Sequence, residues 1–276
     1  MDWIKIPFHK KLSPGELEYL TAISLGFDKQ LELVSNYIGS AEYAELEYMN
    51  RLQIEAFFNN SGINQRLDEL INYNASNSEQ FIAEFYRIGA ELGYEDIQQT
   101  LVYTIADQEA LFHVSKYNFD LITNVNQELK SGIKEVIFNA VAQGEGYQTT
   151  MRNLLELPLT PINHNISVRT RAEMIARTEF ARAVNTGTLQ SYANYGVDQV
   201  DINTSHDSLV CDYCRILERN NPYTLQEVMN NLLLPAHPNC RCNFSAHIPE
   251  PDELGSFDIA SLSIVDNPMV VNLCPV

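Results

Sequence analysis

The chain has 276 residues, of which 45% are hydrophobic, and its 12 glycines and 11 prolines are ordinary for a folded protein. A formal net charge of −18 argues against a general affinity for the phosphate backbone of nucleic acids. No apolar run approaches the roughly 20 residues of a membrane helix, and the start of the chain lacks the apolar core of a signal peptide. We therefore expect a soluble protein made in the cytoplasm, where thiols stay reduced and clustered cysteines favour a metal over disulfides.

The acidic charge is concentrated towards both ends of the chain. Residues 1–165 contain 23 acidic and 11 basic side chains, and residues 246–276 contain five acids and no lysine or arginine. Residues 166–245 contain eight acids and seven bases, and all seven bases are arginines. We therefore expect any DNA contact to be weak and confined to residues 166–245.

The first half of the sequence predicts consecutive helices. Ser13-Pro14-Gly15-Glu16 has the N-cap, first-turn proline and following glutamate of a helix start. Apolar residues spaced three and four apart predict a long second helix over residues 27–52. Asn77 followed by Gln80 predicts the start of another helix that stops near residue 93. A further apolar stripe predicts a helix over residues 122–140 that ends at residue 144.

The second half predicts helices alternating with short strands. Residues 157–161 contain two prolines and predict an extended connector. A helix is predicted from Arg169 to Tyr195, with Thr170 and Glu173 as its capping box and small residues along one face. We expect a strand over residues 199–204, a helix over 224–234, and a second strand within 241–248 that pairs with the first.

Four of the five cysteines lie within 32 residues of the second half. They form a C-x-x-C turn and an H-x-x-C-x-C turn, whose five candidate metal ligands are Cys211, Cys214, His237, Cys240 and Cys242. Tetrahedral zinc needs four ligands, and a catalytic zinc leaves one position open for water. The spacing therefore favours a structural zinc ion that is bound by four of these five residues. Buried free cysteines or a disulfide are the alternatives.

Three charged residues near these turns allow two interpretations. Glu179, Asp207 and Arg241 would form either a catalytic or phosphate-handling trio, or a polar network that locks the long helix onto the metal site. We favour the structural network, because charged clusters also occur where they have no catalytic task. We find no nucleotide-binding, hydrolase or metalloprotease motif, so we do not expect an enzyme.

The motifs of this region resemble one known family. The segment Met174–Asn185 contains I-A-R-T-E, residues 210–217 read V-C-D-Y-C-R-I-L, and residues 237–242 read H-P-N-C-R-C. In this order and spacing they resemble the phage Mu F-like head-morphogenesis (minor head protein) family, across residues 133–245. The expected fold is mainly α (α+β), with an N-terminal helical region (1–132), a Mu F-like module with a β-hairpin and Cys/His cluster (133–248), and an acidic tail (249–276).

This resemblance implies a phage minor head, or minor capsid, protein. Such a protein is a low-copy virion component inside the head near the portal, present in the host cytoplasm during assembly. Its expected partner is the portal or another head-interior protein, contacted through the N-terminal helices, with weak or no DNA contact and no membrane. The alternative is a metal-dependent nuclease or toxin-like effector, with Glu179, Asp207 and His237 around an open metal site.

Overall fold

The structure, a computed structural model, describes residues 13–46, 49–155, 157, 168–231 and 233–248. The described residues up to Ala246 belong to one compact unit. The described residues form nine helices and three short strands. In chain order they are α1 (Pro14–Ile38), α2 (Ala41–Glu45), α3 (Arg51–Asn60), α4 (Gly62–Asp96), α5 (Ile105–Gln143), α6 (Tyr147–Leu155), α7 (Val168–Asn194), β1 (Gln199–Asn203), α8 (Asp212–Arg219), β2 (Tyr223–Thr224), α9 (Leu225–Asn231) and β3 (Asn243–Ala246).

The predicted fold class is confirmed, because the described chain is mostly helical with one small antiparallel sheet and a Cys/His cluster. The boundary predicted at residues 132/133 falls inside α5, which runs through it without a break. The connector at 158–161 and the acidic tail at 249–276 lie outside the described residues. None of the described helices is long and apolar enough to cross a membrane.

Helix α1 begins as predicted, but the prediction of one long second helix over residues 27–52 is wrong. Ser13 and Glu16 form a reciprocal capping box at the start of α1. The helix then ends at Ile38, because Ser40 caps a separate helix by accepting a hydrogen bond from the Tyr43 backbone amide. The apolar spacing continues across this break, since α1, α2 and α3 all place apolar side chains against the same core.

Helix α4 also differs from the prediction, because it continues through Asn77 for 35 residues. Its centre is rich in Asn and Ser, which usually indicate a break. Here two of them bond across the bundle instead: Ser78 Oγ donates to Asn118 Oδ1 on α5 at 2.7 Å, and Asn74 Nδ2 to Asn126 Oδ1 at 3.4 Å. Tertiary hydrogen bonds therefore override the local sequence signal.

Helix α7 packs closely against α4, as its face of small residues predicts. A Cβ added to Gly187 would lie 2.2 Å from the Tyr86 carbonyl oxygen, and one added to Gly89 would lie 2.0 Å from that of Val184. Thr188 Oγ1 donates to the Gly89 carbonyl across the same interface, at 3.0 Å. The helix spans Val168–Asn194, within one residue of prediction at each end, so Thr170 lies inside its first turn rather than at the N-cap.

The strands form one sheet in the order β2-β1-β3, with both neighbours antiparallel to β1. The predicted pairing of β1 with the later strand is confirmed, from Val200 opposite Ala246 to Asn203 opposite Asn243. β2 was not predicted, because it has only two residues. The helix predicted over 224–234 is α9, which ends earlier, at Asn231. This small sheet positions the loops that carry the cysteines.

Candidate metal centre

The C-x-x-C turn forms the N-terminus of α8. Cys211 is the N-cap, with extended backbone angles, and its Sγ accepts a hydrogen bond from the Cys214 backbone amide at 3.4 Å. A sulfur in this position is stabilised by the positive end of the helix dipole. Three residues on, Cys214 lies on the first turn of α8 and is buried. The turn therefore presents both sulfurs on the same side.

His237 faces this pair of sulfurs with its Nε2 atom. The distances from Nε2 are 3.3 Å to Cys211 Sγ and 3.2 Å to Cys214 Sγ. The other ring nitrogen, Nδ1, lies 2.8 Å from the Pro238 carbonyl oxygen, and since a carbonyl can only accept, Nδ1 donates. The lone pair of Nε2 is therefore directed at the sulfurs, the tautomer that metal-bound histidines use.

Cys240 and Cys242 complete the cluster from the segment that leads into β3. Both are buried, at 3% and 5% exposed, and Cys240 Sγ lies 4.0 Å from Cys214 Sγ. The ligand atoms of Cys214, Cys240 and Cys242 lie within 4.8 Å of one another, as do those of Cys211, Cys214 and His237. We call these five residues the Cys/His cluster. It consists of two triads that share Cys214.

The spacing of these atoms fits a tetrahedral metal. With metal–sulfur bonds of about 2.3 Å and metal–nitrogen bonds of about 2.0–2.1 Å, ligand atoms are about 3.5–3.8 Å apart. The contacts of 3.2, 3.3 and 4.0 Å lie close to that range. Hydrogen bonds from Cys214 and then Cys242 lower the pKa of Cys240 far below that of a free thiol. One thiol of the cluster, that of Cys240, therefore favours the anionic form that binds metal.

The ion pair between Asp207 and Arg241 braces the cluster. Arg241 lies between Cys240 and Cys242 and donates from both Nη atoms to Asp207, at 2.7 and 2.8 Å. This bidentate pairing raises the pKa of Arg241. Asp207 also accepts from the Leu209 backbone amide at 2.9 Å. The pair therefore ties the loop before Cys211 to the segment containing Cys240.

Glu179 lies away from this ion pair, in the helical core. It is 2% exposed and pairs with Arg182 on its own helix, with Arg182 Nε 3.3 Å from Glu179 Oε2. Burial raises the pKa of Glu179, against the opposing influence of Arg182 and a hydrogen bond from Asn118. Asn118 also donates to the Tyr19 hydroxyl at 2.6 Å. Glu179 therefore ties α7 to the bundle, whereas Asp207 and Arg241 act at the Cys/His cluster.

Two residues of α7 that the sequence analysis did not single out anchor the cluster. Thr178 Oγ1 accepts a hydrogen bond from the Asn239 backbone amide at 3.1 Å. Asn185 donates to the Cys242 carbonyl at 3.2 Å and accepts from the Phe244 amide at 3.3 Å. They are seven residues apart and so share a helix face. Both belong to the segment Met174–Asn185, and the polar residues of this segment were the sequence signal that could have identified them.

The loop before the cluster has its own polar anchor, which the sequence analysis also missed. Glu218 on α8 accepts from the Thr204 amide at 2.8 Å and from its hydroxyl at 3.0 Å. These bonds lower the pKa of Glu218, although burial opposes them. His206 lies 2.9 Å from the same carboxylate. The contacts fix the end of β1 against the helix that carries Cys214.

The comparison with known families bears on this resemblance. Residues 131–245 match the family model described as Phage Mu protein F like protein. This segment, less than half of the chain, is similar to that family. The match starts two residues before the predicted position of 133 and ends at the predicted residue, so the resemblance is confirmed, and it indicates a phage head-related protein. No curated protein and no solved structure matches the chain.

Proposed function

We propose that the chain is a phage minor head protein whose Mu F-like module is held together by a structural zinc ion. The observation that carries this proposal is that the matched segment and the Cys/His cluster coincide. The matched residues 131–245 contain all five candidate ligands. The motifs that carry the resemblance therefore build one physical feature, a cluster of candidate metal ligands of which three are buried.

Zinc suits the donor set best. Thiolate and imidazole donors favour zinc over magnesium or calcium, which prefer oxygen. An imidazole facing two thiols is typical of structural zinc sites with mixed Cys and His ligands. His237, Cys211 and Cys214 would bind from one side, with Cys240 or Cys242 from the other. Five donors for four positions leave one spare, which a series of single Cys→Ser variants would identify.

The N-terminal helical region offers the surface for a partner in the head. It is strongly acidic, and α5 exposes large apolar side chains, with Ile105 at 75% and Phe112 at 64%. Exposed apolar groups of this size favour a protein partner. We therefore assign the portal, or another protein of the head interior, as the partner, and the head interior near the portal as the location in the virion. DNA contact would be weak.

A non-catalytic role agrees better with the geometry than the nuclease alternative. The alternative needs Glu179, Asp207 and His237 around one open metal. Asp207 lines a different cavity from the other two and is held by Arg241. His237 directs Nε2 at two sulfurs, and Glu179 is paired with Arg182. Each group of the trio thus has a structural task, which supports a closed metal site.

Purified phage particles provide the test. Quantitative mass spectrometry of particles should find the protein at a small fixed number of copies, and it should remain after nuclease treatment of the particle surface. Particles assembled without it should contain the portal but show reduced infectivity. Finding the protein only in infected-cell lysate, and never in particles, would contradict the proposal.

A nuclease assay addresses the alternative. The purified protein is incubated with single- and double-stranded DNA and RNA in the presence of zinc, magnesium or manganese. We expect no cleavage above that of a Cys214→Ser variant. Cleavage by the wild-type protein that both this variant and Glu179→Gln abolish would favour the enzyme.

A further inference from the structure

A cavity of about 220 Å3 lies between α5, α7 and the loop that carries His237. Its walls are largely apolar and aromatic, from residues such as Tyr117, Leu121 and Met174. Its ionic side chains are Arg171, Glu179 and Arg182. His237, a candidate metal ligand, also lines the cavity, so the cavity borders the Cys/His cluster.

Arg171 is the unusual residue of this cavity. Its Nε atom is buried without a hydrogen-bond partner, and it forms no ion pair with any of the described residues. Leaving a buried donor unpaired is costly, and more so for a charged group. A bound ion or water commonly explains such an atom. The 14 residues that precede Arg171 in sequence, 157–170, include no Asp or Glu.

The other two ionic groups leave the cavity with a positive charge. Arg182 Nε lies 3.3 Å from Glu179 Oε2, and the Arg182 guanidinium stacks 4.4 Å from the centre of the Tyr117 ring. Glu179 is thereby neutralised by Arg182, and no described residue pairs with the charge of Arg171. Arg171 and Arg182 are eleven residues apart, about three helical turns, so both project from the same face of α7.

We propose that this cavity is a binding site for one small oxyanion, a carboxylate or a phosphate group, held by the guanidinium of Arg171 with help from Arg182. The planar guanidinium matches both groups through paired hydrogen bonds. Drug-sized ligands occupy pockets of roughly 300–1,000 Å3, so this smaller volume suits a single acidic group. Arg171 also lies in the first turn of α7, where the helix dipole opposes a cation and favours an anion.

Titration of the full-length, metal-loaded protein tests this site. Inorganic phosphate and acetate are titrated separately, and binding is followed by chemical shifts and by thermal unfolding. The test variant is Arg171→Gln, and the matched control is Arg177→Gln, about 120° away on the same helix. We expect saturable one-to-one binding to the wild type and the control, and at least tenfold weaker binding to Arg171→Gln. Arg171→Lys, which keeps the charge without the planar fork, should fall between them.

The results distinguish a phosphate ligand from a carboxylate ligand, and they also show whether the proposal fails. Tighter binding of phosphate assigns a phosphate group, and tighter binding of acetate assigns a carboxylate. Lack of saturation with both anions, or equal loss in the Arg171 and Arg177 variants, overturns the proposal. Arg171-dependent binding of a single-stranded oligonucleotide, tighter than either anion, also overturns it in favour of a nucleic-acid contact. If Arg171→Gln does not fold, the anion affinity of Arg171→Lys is compared with those of the wild type and Arg177→Gln instead.

Discussion

The helical bundle and the sheet-containing part of the module are stabilised in different ways, and α7 belongs to both. The bundle buries a long set of apolar side chains from α1, α4 and α5, including Phe27, Leu67 and Ile122. The second core is much smaller, and two of its buried members, Cys240 and Cys242, are candidate metal ligands. The first half of α7 packs into the bundle core and its second half into the small core.

This difference predicts where a bound metal would matter for folding. A large apolar core supplies its own driving force, whereas a small core usually requires a metal or disulfides. The bundle is therefore expected to fold without a metal, and the sheet-containing part to depend on it. It also follows that deleting residues 1–132 would not leave the module intact, because the deletion removes α4 and exposes the α7 face that packs on it.

The largest expected effect comes from removing the metal. A chelator should unfold residues 197–246 while leaving most of the helical signal, because structural zinc contributes on the order of 10 kcal/mol to folding. Hydrogen exchange should show lost protection in β1, α8 and β3, and retained protection in α4 and α5. Uniform loss of protection across both regions would show that they do not differ in their dependence on metal.

The next largest effect tests the bundle alone. Gly187→Ala should destabilise the protein by more than about 2 kcal/mol, because the new Cβ would lie 2.2 Å from the Tyr86 carbonyl oxygen. Gly62→Ala is the matched control, since a Cβ there meets no atom within 4 Å. Denaturant unfolding measures both, with the control expected within about 1 kcal/mol of wild type. Equal stability of the two variants would contradict the close packing of α4 and α7.

A smaller effect is expected at the junction between the two regions. Asn185→Ala removes the bonds to the Cys242 carbonyl and the Phe244 amide. We expect a loss of about 1–3 kcal/mol, because two buried backbone groups lose a partner. Metal affinity should fall with it, whereas Asn153→Ala, which removes a contact to Glu145 in the bundle, should leave metal affinity unchanged. Metal competition titrations compare the two, and equal affinities would contradict the anchoring role.

The smallest effect is a pH dependence at Glu179. Burial raises its folded-state pKa above the ordinary value of 4.5, so the folded state holds the proton more tightly than the unfolded state. Stability should therefore be lost as pH rises from about 4.5 through the raised pKa. Glu179→Gln should lack this loss, and the exposed Glu84→Gln should retain it. Thermal unfolding at several pH values measures the curves, and parallel curves for wild type and Glu179→Gln would contradict the assignment.

The sequence predicts elements whose signals are local. The Ser13 capping box, the C-terminus of α5 at Gly144 and the pairing of β1 with β3 follow from turn chemistry and alternation. The Ser40 cap was a local signal that was missed, whereas tertiary hydrogen bonds decided the continuity of α4. In α4 the decisive bond joins Ser78 to Asn118, which are 40 residues apart in sequence.

The candidate site follows the same rule. The cysteine spacing was enough to predict that the five candidate ligands form one site, because few residue types bind metal at such short intervals. The partner of Glu179 was not predicted, although Arg182 is three residues away and therefore on the same helix face. Thr178 and Asn185 were missed because a polar residue on a helix is usually solvated, and only the fold shows that these two face the loops of the Cys/His cluster.

Metal content of the purified protein tests the central claim most directly. Native mass spectrometry and elemental analysis of protein prepared without added metal should find one zinc ion per chain. Cys214→Ser, which removes the ligand shared by both triads, should lose it, and the tail variant Cys274→Ser should keep it. Wild-type protein without bound zinc, and with unchanged thermal unfolding in chelator, would contradict the account.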